Sequence, residues 1–215
     1  MPAFGAAVSL GAEEIEFDLW PTSDGEVVSC HDGTLERVSD GEGLIFEHTL
    51  AELKALDFGA KFGEKFAGLR IPTFAEILKR LGGRTVMNIH VKPLPDGPYD
   101  PAVMKKIVAL IRQYDCSRHC YFMLERDDDI KTFQAYAPDI PICVGHDSAR
   151  KWAIVDRAIA LGAQKVQFFK PYVNQQMIDK AHDHGLQCNL YFCDDPADVA
   201  RIFDMGIDTI LTNNY

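Results

Sequence analysis

An α/β fold built on a parallel sheet is what the sequence predicts. Seven short apolar runs alternate with six amphipathic segments, and short links join them. Many of the segments carry start and stop signals. The strand-like runs cover residues 14–20, 85–92, 120–125, 140–145, 165–169, 186–192 and 208–212. The helical patterns cover 73–81, 101–114, 128–137, 149–161, 174–184 and 196–205. Thr73 with Glu76 makes a capping-box pattern, and Gly82-Gly83 ends that helix. Asp195-Pro196 opens the last helix. Gly162, Gly185 and Gly206 each follow a helix at the spacing of a glycine that leaves the last turn. Strands of this kind suit a doubly wound sheet or a (β/α)8 barrel. The phosphate-cradling GxGxxG after a first strand is missing, which weakens the dinucleotide-binding option. Residues 21–71 depart from the rhythm. They hold a turn at Ser23-Asp24-Gly25, an alternating run over 26–31, then glycine-rich, aromatic-bearing sequence and no long helix. An insertion of that length usually carries function.

The chain has 215 residues, a length expected to form a single domain over 1–215 with a core that needs no staples. Its net charge is −10, with no dense Lys/Arg run, so nucleic-acid binding is not expected. The acidic cluster at residues 127–129 reads as a solvated helix start. No apolar stretch approaches the roughly 20 residues of a membrane span, and the start lacks the pattern of a signal peptide. Six cysteines are scattered without a CxxC pair, the usage of reduced core thiols, and the expected location is the cytoplasm.

Polar residues inside parallel strands need a reason, because such strands are buried on both faces. In Ile15-Glu16-Phe17-Asp18-Leu19, Glu16 and Asp18 share the face opposite the apolar residues. In Met87-Asn88-Ile89-His90-Val91-Lys92, the alternation puts Asn88, His90 and Lys92 together. If the apolar faces meet helices, the polar faces point into a barrel, late in each strand, at the end where barrel enzymes keep their chemistry. Two carboxylates projecting together repel and call for a cation. A hard divalent ion answers that need, and a salt bridge from Lys92 to Glu16 or Asp18 is the simpler alternative. His31-Asp32, closing the alternating run, offers an acid or base with an orienting partner.

With these residues in view, the sequence resembles the glycerophosphodiester phosphodiesterase family of metal-dependent TIM barrels. The segment Gly11-Ala12-Glu13-Glu14-Ile15-Glu16-Phe17-Asp18-Leu19 resembles that family's Gly-Ala-x-x-Ile-Glu-x-Asp-Val strand. Thr22-Ser23-Asp24-Gly25 and His31-Asp32-Gly33-Thr34-Leu35-Glu36-Arg37 resemble its Thr-x-Asp-Gly and His-Asp-x-x-Leu-x-Arg block. Ile71-Pro72-Thr73-Phe74-Ala75-Glu76 is similar to its Ile-Pro-Thr-Leu-x-Glu helix start, and Thr209-Ile210-Leu211-Thr212-Asn213 to its last strand. The resemblance implies a (β/α)8 barrel that hydrolyses small-molecule glycerophosphodiesters, such as deacylated phospholipids, to glycerol 3-phosphate and an alcohol. It implies Glu16 and Asp18 as metal ligands, His31 as a catalytic histidine and Lys92 as a neutraliser of phosphoryl charge. The implied cofactor is a divalent ion, Mg or Ca.

The family pattern is broken in three places. The family opens on a strand bearing His-Arg-Gly, whereas residues 1–4 here already match its first helix. Three explanations stand open: a start assigned too late, a shortened relative of weak catalysis, or a second copy that covers the gap as a homodimer. His90 stands where the family has a third carboxylate ligand; as a ligand its nitrogen favours Mn, Fe, Co or Zn, and a plain hydrogen bond to Glu16 or Asp18 is the alternative. Tyr191 and its neighbours fill the slot of the family's Trp-Thr-x-Asn, where an aromatic ring lines the glycerol or head-group pocket. Glu125, at a strand end, and Trp20, beside the proposed ligands, join Lys92 and Tyr191 as expected substrate contacts. Two further readings compete with the hydrolase. One is a barrel that binds phosphodiester or metal without turnover, and the other is a metal-dependent isomerase of sugar phosphates.

Overall fold

Helix α1 (Pro2–Leu10) starts the chain and stops at Gly11, whose φ of 104° turns the backbone into strand β1 (Glu14–Pro21). The computed structural model describes residues 1–94 and 99–214. It divides into two compact units, Met1–His119 and Cys120–Tyr215.

The first unit is organised around β1. After it come β2 (Val27–Ser29), α2 (Leu50–Ala55), α3 (Phe74–Leu81), β3 (Val86–Val91) and α4 (Pro101–Gln113). Strand β3 runs parallel to β1 with Glu16 opposite Asn88 and Asp18 opposite His90. Residues paired in this way point to the same side of a sheet, so the expected polar face forms. The other face, Ile15, Phe17 and Leu19 with Met87, Ile89 and Val91, is buried. On that side the Phe17 ring meets Phe4 of α1 and Phe74 of α3, with centroids 5.5 and 6.2 Å away. The capping box expected at Thr73 and Glu76 opens α3.

The insertion folds on itself. Strand β2 pairs antiparallel with the end of β1, placing Leu19 opposite Ser29. Val28, Leu35, Ile45, Leu53 and Ile71 form a small core of their own, with Trp20 against it. A six-residue helix, α2, sits inside it behind a second capping box from Thr49 and Glu52.

The second unit is a run of βα repeats: β4 (Cys120–Leu124), α5 (Asp127–Tyr136), β5 (Ile142–Val144), α6 (Ile154–Ala160), β6 (Lys165–Phe169), α7 (Gln175–Asp183), β7 (Gln187–Tyr191), α8 (Pro196–Asp204) and β8 (Thr209–Leu211). Each strand pairs parallel with the next. Gly162, Gly185 and Gly206 adopt φ of 63°, 73° and 94°, the left-handed exit that their spacing predicts.

Two expectations from the sequence are corrected here. The helix expected over 149–161 begins only at Ile154. The chain there closes two successive turns instead, with the Arg150 amide donating to the Asp147 carbonyl at 3.0 Å and the Ala153 amide to the Arg150 carbonyl at 2.9 Å. The acidic cluster is not simply solvated. Asp127 accepts two hydrogen bonds from Arg157, at 2.9 and 2.7 Å, and Asp129 is buried against Arg126. A guanidinium as buried as that of Arg157 needs an anion beside it, and Asp127 supplies one.

Candidate functional site

The polar face of β1 and β3 brings four of the expected residues together. Asp18 is its centre. One carboxylate oxygen accepts from His90 Nδ1 at 2.9 Å and from Lys92 Nζ at 2.8 Å. Asp18 and His90 are each 6% exposed, and Asn88 on the same face is fully buried. A carboxylate cannot donate, so His90 carries a proton on Nδ1, the nitrogen that faces Asp18. Each of Glu16, Asp18 and His90 offers a ligand atom within 4.8 Å of the others.

The electrostatics of this face are unequal. Burial pushes the Asp18 carboxyl up, but the hydrogen bonds and charges of His90 and Lys92 outweigh it and hold Asp18 below the usual carboxylate range. Glu16 has less help, only the opposing pull of the Lys92 charge. Burial first, then the neighbouring Asp18 charge, pushes its carboxyl up to about 8. One carboxylate is neutralised and its neighbour is not. A cation resolves that imbalance, and two oxygen donors with one imidazole make a reasonable ligand set for a divalent ion. The residues present therefore fit a metal. The ion pair with Lys92, the simpler alternative, is also present.

His31 lies apart from this cluster in its contacts, on the loop after β2. Its Nδ1–H donates to Asp32 at 2.7 Å, and its side chain is 77% exposed. Arg37 donates to both Asp32 oxygens at 2.6 Å. The Arg37 hydrogen bonds are the main reason that Asp32 drops to about 2, so it stays ionised and fixes the ring with Nε2 outward. Arg37 is a participant that sequence reasoning left inside a motif without a task. Its signal was the spacing of an Asp five residues before an Arg. Trp20 braces the loop, donating from its indole to the Cys30 carbonyl at 3.0 Å. A Cβ at Gly33 would come within 2.9 Å of the Trp20 ring, so only glycine lets the loop pass so close. The Cys30 thiol is pushed up to about 11, chiefly by burial, with Asp32 and Asp18 adding to it. It is inert at neutral pH.

In the second unit, Glu125 and Tyr191 line one cavity of about 340 Å³ with Arg126, His146, Asp147 and Ser148. Tyr191 stacks on Phe169 with centroids 5.1 Å apart, and His146 stacks on Tyr172 at 5.5 Å. Burial, then the charge of Glu125, pushes the Tyr191 hydroxyl up to about 12, so it stays a neutral donor. Burial also lowers the His146 imidazole, despite the opposing pull of Asp147.

The sequence profile of the glycerophosphoryl diester phosphodiesterase family matches residues 1–215. The chain belongs to this family. A glycerophosphodiester phosphodiesterase of Caldanaerobacter subterraneus subsp. tengcongensis is 29% identical over 215 residues, covering 99% of this chain and 86% of that one. Another, from Bacillus subtilis, is 27% identical over 232 residues, covering 98% and 77%. Among solved structures, a glycerophosphodiester phosphodiesterase from Agrobacterium tumefaciens superimposes with a TM-score of 0.83 at 25% identity, over 98% of this chain and 87% of that one. An Oleispira antarctica phosphodiesterase, solved with the product sn-glycerol-3-phosphate, gives 0.85 at 22% identity, over 96% and 83%. These likenesses show the fold class as an α/β barrel of the TIM type. Among the described residues, no helix is long and apolar enough to cross a membrane.

Proposed function

We propose that this phosphodiesterase-family chain hydrolyses glycerophosphodiesters to glycerol 3-phosphate and an alcohol, with a divalent metal ion held by Glu16, Asp18 and His90. The observation that carries the reading is the convergence of those three side chains, within 4.8 Å of one another, with Lys92 on Asp18. Bound there, the ion would supply positive charge to the phosphoryl oxygens.

The remaining work falls to the chain's own residues. Lys92, 20% exposed and held by Asp18, presents a fixed ammonium that offsets charge developing on the phosphoryl group. His31 gives a proton from its outward nitrogen to the leaving alkoxide, and Asp32 keeps the ring oriented. Asp32 is itself locked by Arg37, so the acid stands on a rigid support although it is exposed. Trp20 walls the approach. In the second unit, the Glu125–Tyr191 cavity is a polar cleft with one aromatic side, of a size for a small hydrophilic group, and we assign it to substrate.

The substrate class places the chain in the turnover of deacylated glycerophospholipids. The cysteines, all free of disulfides among the described residues, suit a reducing compartment such as the cytoplasm. A barrel that binds without turnover is the second reading. It is favoured by His31, whose contacts lie with Asp32 and not with the ligand cluster.

The test is release of glycerol 3-phosphate from glycerophosphocholine by chelator-stripped protein refilled with Mg, Ca, Mn or Zn. Turnover restored by at least one ion supports the hydrolase. Folded protein that releases no product with any of them sinks the hydrolase and leaves the binding barrel.

A further inference from the structure

A second group of metal-ligating side chains stands in the second unit, used by none of the chemistry above. His182 lies in the last turn of α7, Cys188 is the second residue of β7, and Asp208 precedes β8. Each offers a ligand atom within 4.8 Å of the others. Their chain spacings of six and twenty residues form no known motif. The fold brings them together because β7 and β8 pair with Asn189 opposite Thr209, which sets Cys188 beside Asp208 one step earlier.

Two of the three side chains are already in contact. Asp208 accepts from the Cys188 amide at 2.7 Å and faces His182 Nε2 at 3.1 Å through the same oxygen. Its carboxylate is therefore fixed before any ligand arrives. The His182 ring lies close to the Gly206 backbone, where a Cβ would come within 3.3 Å of it. The His182 and Asp208 side chains are each 40% exposed, while Cys188 forms a fully buried floor. Two donors thus face solvent and the third is a buried sulfur. Tetrahedral coordination at ordinary zinc bond lengths sets donors about 3.3–3.6 Å apart, so closure from the observed spacing needs movements of about an ångström.

We propose that His182, Cys188 and Asp208 bind one transition-metal ion of the zinc class, with water completing the shell. The sulfur donor decides the class. Mg and Ca prefer oxygen alone, whereas a thiolate with imidazole and carboxylate suits zinc or cobalt. Burial, then Asp208, pushes the thiol up to about 12, so it is no nucleophile at neutral pH. Only an ion that bonds sulfur strongly displaces its proton, which leaves to solvent as the metal–sulfur bond forms. The imidazole coordinates neutral through Nε2 with its N–H moved to Nδ1. An ion there ties the end of α7 to the starts of β7 and β8.

The experiment uses the full-length, chelator-stripped protein titrated with Co2+. The expected result is a sulfur-to-cobalt charge-transfer band in the near ultraviolet, saturating at about one equivalent and erased by Zn2+. Cys188→Ser abolishes the band. His182→Ala and Asp208→Asn weaken Co2+ binding at least about tenfold. The last two lie at exposed positions and carry the test if Cys188→Ser does not fold. The cluster of Glu16, Asp18 and His90 has no sulfur, so the band separates the two sites. No band in the wild type, a band that survives Cys188→Ser, or affinity unmoved by His182→Ala would each overturn the proposal.

Discussion

Replacing Glu16 by Gln is expected to stabilise the metal-free protein at high pH while removing a metal ligand. The Glu16 carboxyl is raised from 4.5 to about 8, by burial first and Asp18 second. A raised acid keeps its proton in the folded state at pH values where the unfolded chain has released it. The folded state then binds more protons, so stability falls as pH rises from about 4.5 to about 8 and is level beyond. The full shift corresponds to roughly 5 kcal/mol, and water reaching the partly exposed side chain screens it to about 2 kcal/mol. Gln carries no charge at any pH. Its advantage should be near zero at pH 4 and about 2 kcal/mol at pH 9, or some 4–8 °C in melting temperature for a chain of this size. Thermal melts followed by circular dichroism in EDTA across that range measure it. Adding Mn2+ at pH 8 should raise the wild-type midpoint and leave the variant's nearly unmoved. A difference between the two proteins that is flat with pH, or a Gln variant that melts lower at pH 9, would show that Glu16 is not the unbalanced charge of this face.

Four other outcomes are expected. His31→Ala should lower glycerol 3-phosphate release by about 100-fold or more with a melt unchanged within about 0.5 kcal/mol, because the ring is exposed but placed as an acid. Lys92→Met removes a partner 2.8 Å from a buried carboxylate, so chemical denaturation should show a loss of about 2–3 kcal/mol together with lost turnover. His90→Glu converts the ligand set to oxygen alone, and the ratio of activity with Mg to activity with Mn should rise, with a roughly tenfold change equal to about 1.4 kcal/mol. Asp127→Asn leaves the Arg157 guanidinium, 7% exposed, without its close anion, and urea unfolding should report about 2–4 kcal/mol lost with site chemistry unaffected.

The parts of this molecule that the sequence makes legible are the local ones. Alternation in Ile15-Glu16-Phe17-Asp18-Leu19 fixes which side chains share a face, because a strand has a side-chain period of two, and the parallel register with β3 then leaves His90 and Lys92 no other side to take. Capping residues and exit glycines act within one turn of a helix, so Thr73, Asp195 and Gly206 announce their helix ends without reference to anything distant. The misread helix start at residue 149 is also local. Propensity favoured a helix there, and the chain closes two separate turns instead, Asp147–Arg150 and Arg150–Ala153.

What stays hidden is pairing over distance. Asp127 looks like a solvated charge until Arg157, 30 residues later, is seen buried against it. The same holds with more force for His182, Cys188 and Asp208, which belong to a helix end, a strand start and a loop, and which only the β7–β8 register unites. In each case the residue type was visible and the partner was not, because in a parallel α/β fold neighbouring strands are separated in sequence by a whole helix. Chemistry on the face of a single strand can therefore be read from spacing. Chemistry assembled across a crossover, such as the sulfur-bearing cluster at the start of β7, needs the register between strands before its donors can be recognised as one set.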